Sequence, residues 1–82
     1  MKVRVLFFSV LRDITAASEV AVDLRAEKPF VSELLEHLFE RWPRLREWDR
    51  SLLVAVDQAY ARRDTELCEG SEVAIMPPVQ GG

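Results

Sequence analysis

A chain of 82 residues with a net charge of −3 is one domain with one modest core, because a chain this short buries only about 60–65% of its unfolded surface. Hydrophobic residues at 49% and charged residues at 30% exclude a disordered chain. The acidic balance, with a pI near 5.1, argues against nucleic-acid binding, whose footprint is a basic patch.

Lys2–Phe8 opens with strict alternation: Val3, Val5 and Phe7 point one way, Arg4, Leu6 and Phe8 the other. Period two predicts a strand. Ser9 is placed to cap a short helix over Val10–Ile14, and Thr15–Ser18 is small and polar enough for a loop. Glu19–Leu24 alternates again and should pair with the first strand. Pro29 breaks the pattern. From Val31 the apolar residues fall at Val31, Leu34, Leu35, Leu38, Phe39 and Trp42, the stripe of an amphipathic helix. Pro43 ends it, because proline cannot continue the hydrogen-bond ladder.

Arg44–Arg50 reads as a charged connector, with Leu45 and Trp48 available to the core. Leu52–Val56 is a short apolar strand, Asp57-Gln58 a turn, and Ala59–Arg62 a short edge strand. Two tight turns follow, at Asp64–Leu67 and at Cys68–Ser71, with Gly70 free to take positive φ. Glu72–Met76 is the last strand, closed by Pro77-Pro78. The order β-β-α-β-β-β with one main helix predicts an α+β fold. Its compact solution is the β-grasp, or ubiquitin-like, roll, a mixed sheet with its first and last strands parallel at the centre. The β-grasp domain should occupy residues 1–76 and an extended tail residues 77–82.

With Val3, Val5, Phe7, Val73 and Ile75 turned to the helix and packed on Leu34, Leu35 and Leu38, four other residues must share the open side of the sheet. These are Leu6, Phe8, Ala74 and Met76. A solvated sheet face should be polar, so an apolar patch beside the tail predicts a protein partner. The alternative is that the connector Arg44–Ser51 folds over it.

Pro77-Pro78 favours a stiff, extended exit from the sheet, which Val79 and Gln80 continue. Gly81 and Gly82 carry no side chains and can enter a channel too narrow for any other pair. What they deliver is the α-carboxylate of Gly82. A carboxylate is a poor electrophile, but an acyl-adenylate is open to attack by a sulfur or nitrogen nucleophile. The reactive group would then be the main-chain terminus, with no catalytic side chain in the protein.

EGSEVAIMPPVQGG resembles the C-terminal signature of the MoaD-type sulfur carriers, the small subunit of molybdopterin synthase. KVRVLFFSVLRDITA is similar to the opening strand and short helix of that family, and LLVAVDQAYARRDTEL to its middle strands. The resemblance covers nearly the whole chain, and Pro-Pro-Val-x-Gly-Gly is its most specific part. It implies ATP-dependent adenylation of Gly82 by an enzyme related to ubiquitin-activating enzymes. A sulfur donor then converts Gly82 to a thiocarboxylate. The tail Pro77, Pro78, Val79, Gln80, Gly81 inserts into the large synthase subunit, which supplies the active-site side chains. The acceptor implied is cyclic pyranopterin monophosphate. No bound cofactor and no metal are expected. The sequence departs from the family pattern at Gln80, where Ser or Thr is usual, at Ser71, where Asp is usual, and at Asp57-Gln58, where Asn precedes a tighter turn.

Two related readings use the same terminus: a thiamin-type sulfur carrier, which typically lacks Pro-Pro before the tail, and a ubiquitin-like modifier conjugated to lysine through Gly82. A third is an interaction module with an inert tail. His37, among Glu33 and Glu40, reads as a solvated helix position rather than a metal ligand. Cys68 is expected to be a small packing residue, with no flanking cation evident locally to make it a reactive thiol. It can make no internal disulfide and belongs to no Cys-x-x-Cys pair, so a cytoplasmic home is expected. The apolar stretch behind Lys2 and Arg4 lacks the cleavage pattern of a signal peptide, and no run is long enough to span a membrane.

Overall fold

The computed structural model describes residues 1–78. Its elements in chain order are β1 (Lys2–Phe7), α1 (Val10–Thr15), β2 (Glu19–Asp23), α2 (Val31–Arg41), a 3-10 helix (Pro43–Ser51), β3 (Leu53–Val56), β4 (Ala59–Tyr60) and β5 (Glu72–Met76). The strands form one sheet in the order β2-β1-β5-β3-β4. β1 and β5 run parallel at its centre, and every other pair is antiparallel. This is the α+β, β-grasp arrangement that the element order predicts.

The alternation in β1 sets the core. Val3, Val5 and Phe7 are buried, and they meet Val73 and Ile75 of β5 and Leu34, Leu35 and Leu38 of α2 in one apolar cluster. Each such side chain, removed from water, contributes about 1.5–3 kcal/mol of gross stabilisation. Phe7 also meets Trp42 edge to face, with 5.4 Å between ring centroids and 79° between planes.

α2 has no side-chain cap. The β4–β5 loop satisfies its first N–H groups instead: Val31 donates to the Thr65 carbonyl and Ser32 to that of Arg63, each at 2.9 Å. Buried helix N–H groups need such partners. At the other end Trp42 N–H closes on the Leu38 carbonyl at 2.7 Å. Pro43, tolerated in a first helical turn, then begins the 3-10 segment.

Several local expectations are corrected. Ser9 makes no cap hydrogen bond and sits at φ 57°; α1 is held by Leu11, fully buried in the core. The connector is helical rather than irregular, because Leu45 has a buried slot and Trp48 packs at the core margin. β4 stops at Tyr60, since the Arg62 N–H turns to Thr65 Oγ1 at 3.0 Å. β2 ends at Asp23, although Leu24 stays buried.

Candidate functional site: the open sheet face and the tail exit

The pairing register builds the site. Leu6 on β1 stands opposite Ala74 on β5, Ala74 opposite Ala55 on β3, and Ala55 opposite Tyr60 on β4. Directly paired residues share a sheet face, so the four form one row across the side away from α2. Met76 lies one step further along that face, opposite Leu53. Phe8, next after Leu6 in the alternation, is 40% exposed, and its N–H reaches the Ile75 carbonyl at 3.3 Å. Leu6, Phe8, Ala74 and Met76 are thus gathered at the end of the sheet where β5 finishes. Pro77 and Pro78 follow directly and are half-buried. Val79, Gln80, Gly81 and Gly82 lie outside the described residues.

The structure adds three residues to this face: Leu53, Ala55 and Tyr60. Tyr60 is 77% exposed, an unusual setting for a large aromatic ring beside an apolar row. Their membership depends on β3 lying against β5, a pairing that periodicity within β3 does not reveal. Leu52–Val56 is apolar at every position and so gives no alternation from which to assign faces.

Charge borders the face on two sides, with Arg4 and Glu72 at the end away from the tail exit and Glu19 beside Leu6 at the β2 edge. Arg4 reaches Glu72 at 3.4 Å and Glu19 at 3.9 Å, all three on the open side. An apolar centre with a charged rim is the anatomy of a protein–protein contact surface. The connector does not cover it. The 3-10 helix packs against α2 and α1, and Arg50 near its end lines a hollow with Leu53 and Tyr60 at the margin of the face.

The turns around the site are specified by side chain and backbone together. Asp57 and Gln58 both take positive φ, 50° and 71°, the two-residue turn that matches strand twist. Asp57 Oδ1 accepts the Glu72 N–H at 2.9 Å, and the Asp57 N–H donates to the Glu72 carbonyl at 2.8 Å. The β3–β4 turn is thereby tied to the start of β5. Gly70 takes φ 79°. Ser71 is buried, and its Oγ accepts the Cys68 N–H at 3.0 Å.

Other candidates sort differently. Cys68 is exposed; the packing role expected of it is wrong, because Leu67 turns inward in its place. His37 is exposed over a shallow hollow with Glu33, Glu36, Glu40 and Asp23. No group of residues able to hold a metal ion occurs among the described residues, and none of their helices is long and apolar enough to cross a membrane. Trp42 packs on Phe7 inside and beneath the Arg41 guanidinium outside, 4.4 Å from the ring centroid.

Residues 5–82 match the ThiS family. The molybdopterin synthase sulfur carrier subunit of Escherichia coli is 41% identical, over 98% of this chain and 99% of that protein. Among solved structures, a putative molybdopterin converting factor subunit 1 from Pyrococcus furiosus superposes with a TM-score of 0.85 at 28% identity, over 95% of this chain and 98% of that one. SAMP1 from Haloferax volcanii shares the fold at a TM-score of 0.85 and 23% identity, over the whole of both chains.

Proposed function

Because the chain belongs to the ThiS family, we propose that it is the sulfur carrier of molybdenum-cofactor synthesis, working through Gly82. The observation that carries this reading is the apolar open face of Leu6, Ala74, Met76 and Tyr60, which adjoins the exit of a tail ending Pro-Pro-Val-Gln-Gly-Gly. The full-length likeness to a molybdopterin synthase sulfur carrier subunit supports it.

On this reading the chemistry belongs to the terminus. The Gly82 carboxylate attacks the α-phosphate of ATP in an activating enzyme, releasing pyrophosphate and leaving an acyl-adenylate. A sulfur donor displaces AMP to give the thiocarboxylate. Glycine suits both steps because nothing shields its carbonyl. The fold supplies recognition. The open face docks on the large synthase subunit, and Pro77-Pro78, fixed in φ, directs the tail into that subunit's active site. There the sulfur passes to cyclic pyranopterin monophosphate.

The test is the intact mass after incubation with ATP, a sulfur donor and the activating enzyme. The expected result is exchange of one oxygen for sulfur at Gly82, dependent on ATP and lost on deleting Gly82. No exchange with an enzyme active on another carrier would overturn the reading. Lysine conjugates on a denaturing gel in place of exchange would make the chain a protein modifier.

A further inference from the structure

Resting on the reading of Gly82 as an activated acyl group, we propose that the fold holds every amine and the only thiol of the chain at the pole opposite the tail exit, so that the activated terminus escapes capture by its own chain and any amide it forms is intermolecular.

The chain has two lysines, Lys2 and Lys28, against nine arginines, and one cysteine, Cys68. The fold brings all three to one place. The Lys2 carbonyl accepts the Gly70 N–H at 2.7 Å, which seats Lys2 against the turn that follows Cys68. Lys28 precedes Pro29, whose carbonyl accepts the N–H of Leu67, the neighbour of Cys68, at 2.8 Å. The Met1 amino group joins them, donating to the Leu24 carbonyl at 2.8 Å. Lys2, Lys28 and Cys68 are exposed.

β5 runs parallel to β1, with Arg4 opposite Glu72 and Phe7 opposite Ile75. It therefore carries the chain away from Lys2 along the length of the sheet. From the level of Lys2 to Met76 is about 20 Å at strand rise. The six residues that follow Met76 span at most about 21 Å. Gly82 would meet the Lys2 amine only if the chain reversed where β5 ends and ran back along most of the sheet. Pro77 and Pro78 oppose such a reversal. At the exit pole the cations are arginines. Arg12 lies on α1, just past Phe8, and Arg50 lines a hollow with Leu52 and Leu53, beside Met76. Both are exposed. A guanidinium keeps its proton at neutral pH and is no nucleophile. Arginine thus supplies charge near the activated carbonyl without the risk a lysine brings.

The capture at issue is aminolysis: the lysine Nζ lone pair attacks the Gly82 carbonyl, the C–N bond forms, the leaving group departs with its electron pair, and Nζ loses a proton to solvent. It is testable without an activating enzyme. The chain is prepared as a Gly82 thioester by thiolysis of an intein fusion, as wild type, Arg12→Lys and Arg50→Lys, and held in mildly alkaline buffer while intact mass is followed. A lysine within reach of the short tail sees an effective carbonyl concentration of order mM. At about 10 µM protein its capture then outruns the intermolecular reaction on the order of a hundredfold.

The expected result is a cyclised monomer, lighter than the linear acid by one water, in the two lysine variants. The wild type gives only linear acid and concentration-dependent dimer. A cyclised wild-type monomer would overturn the proposal, and so would failure of both variants to cyclise. Because the thioester is made chemically, either outcome is independent of whether an enzyme adenylates Gly82.

Discussion

Leu6 on β1 stands opposite Ala74 on β5 in parallel register, and the row continues through Ala55 to Tyr60. That pairing converts four apolar residues distant in sequence into one surface beside the tail exit. Burial of an aromatic anchor at the centre of an interface typically costs about 2 kcal/mol or more to remove. Phe8→Asp, Met76→Asp and Tyr60→Ala are therefore each expected to weaken binding of the large synthase subunit by roughly tenfold or more. The isolated domain should lose little stability, because these positions are exposed or half-buried. Titration calorimetry with the large subunit, beside thermal melts of each variant, checks both halves. Wild-type affinity in all three variants would remove the open face from the binding surface.

Phe7→Ala should do the reverse. Phe7 is 1% exposed and its ring meets Trp42. Truncating a buried Phe costs about 3–5 kcal/mol, a large share of what a domain this small possesses. Urea unfolding should show a midpoint far below wild type, with an unchanged slope.

Gln58→Gly should stabilise the domain. Gln58 sits at φ 71°, a conformation that costs a residue with a Cβ about 1 kcal/mol and that glycine adopts freely. The extra freedom of glycine in the unfolded chain offsets part of this, which leaves an expected gain of about 0.5 kcal/mol. Asp57 also takes positive φ, but its carboxylate holds the Glu72 N–H. Asp57→Gly should therefore not gain, and unfolding curves of the two variants side by side separate backbone relief from the loss of that bond.

Arg62 and Asp64 share two hydrogen bonds, Nε to Oδ1 at 3.2 Å and Nη2 to Oδ2 at 2.8 Å. The side-chain hydrogen bond, and then the charge of Arg62, hold the Asp64 carboxyl below the usual carboxylate range; the same contact raises Arg62. A depressed carboxylate stabilises the fold above its unfolded-state pKa, and that contribution is lost as pH falls through the folded value. The pair is fully exposed, so solvent and salt screen it. Asp64→Asn should leave acid-side stability as in the wild type and lower the neutral-pH thermal midpoint slightly, with the difference shrinking in high salt. A variant less stable than wild type only at acid pH would contradict this sign.

Where side-chain spacing carries structural information, it is local. The alternation of Lys2–Phe7 and the stripe from Val31 to Phe39 each place residues on the correct face, because strand and helix periods differ and the core needs one continuous apolar side. The proline stop at Pro43, the two turns and the positive φ of Gly70 follow from backbone sterics at single residues. The motif on which the proposed tail chemistry rests, Pro77-Pro78-Val79-Gln80-Gly81-Gly82, is likewise read directly from the sequence.

Tertiary structure alone decided the rest. Tyr60, Leu53 and Ala55 join the open face because β3 lies against β5, and strand pairing between distant segments leaves no period in either strand. The connector became helical because Leu45 found a buried slot, although its charge pattern reads as a loop. Cys68 faces solvent because Leu67 took the inward place, and a one-residue choice of that kind depends on what the neighbouring elements leave open. The parallel run of β1 and β5 set the distance between Lys2 and the tail, a relation between the two ends of the chain that only the sheet enforces.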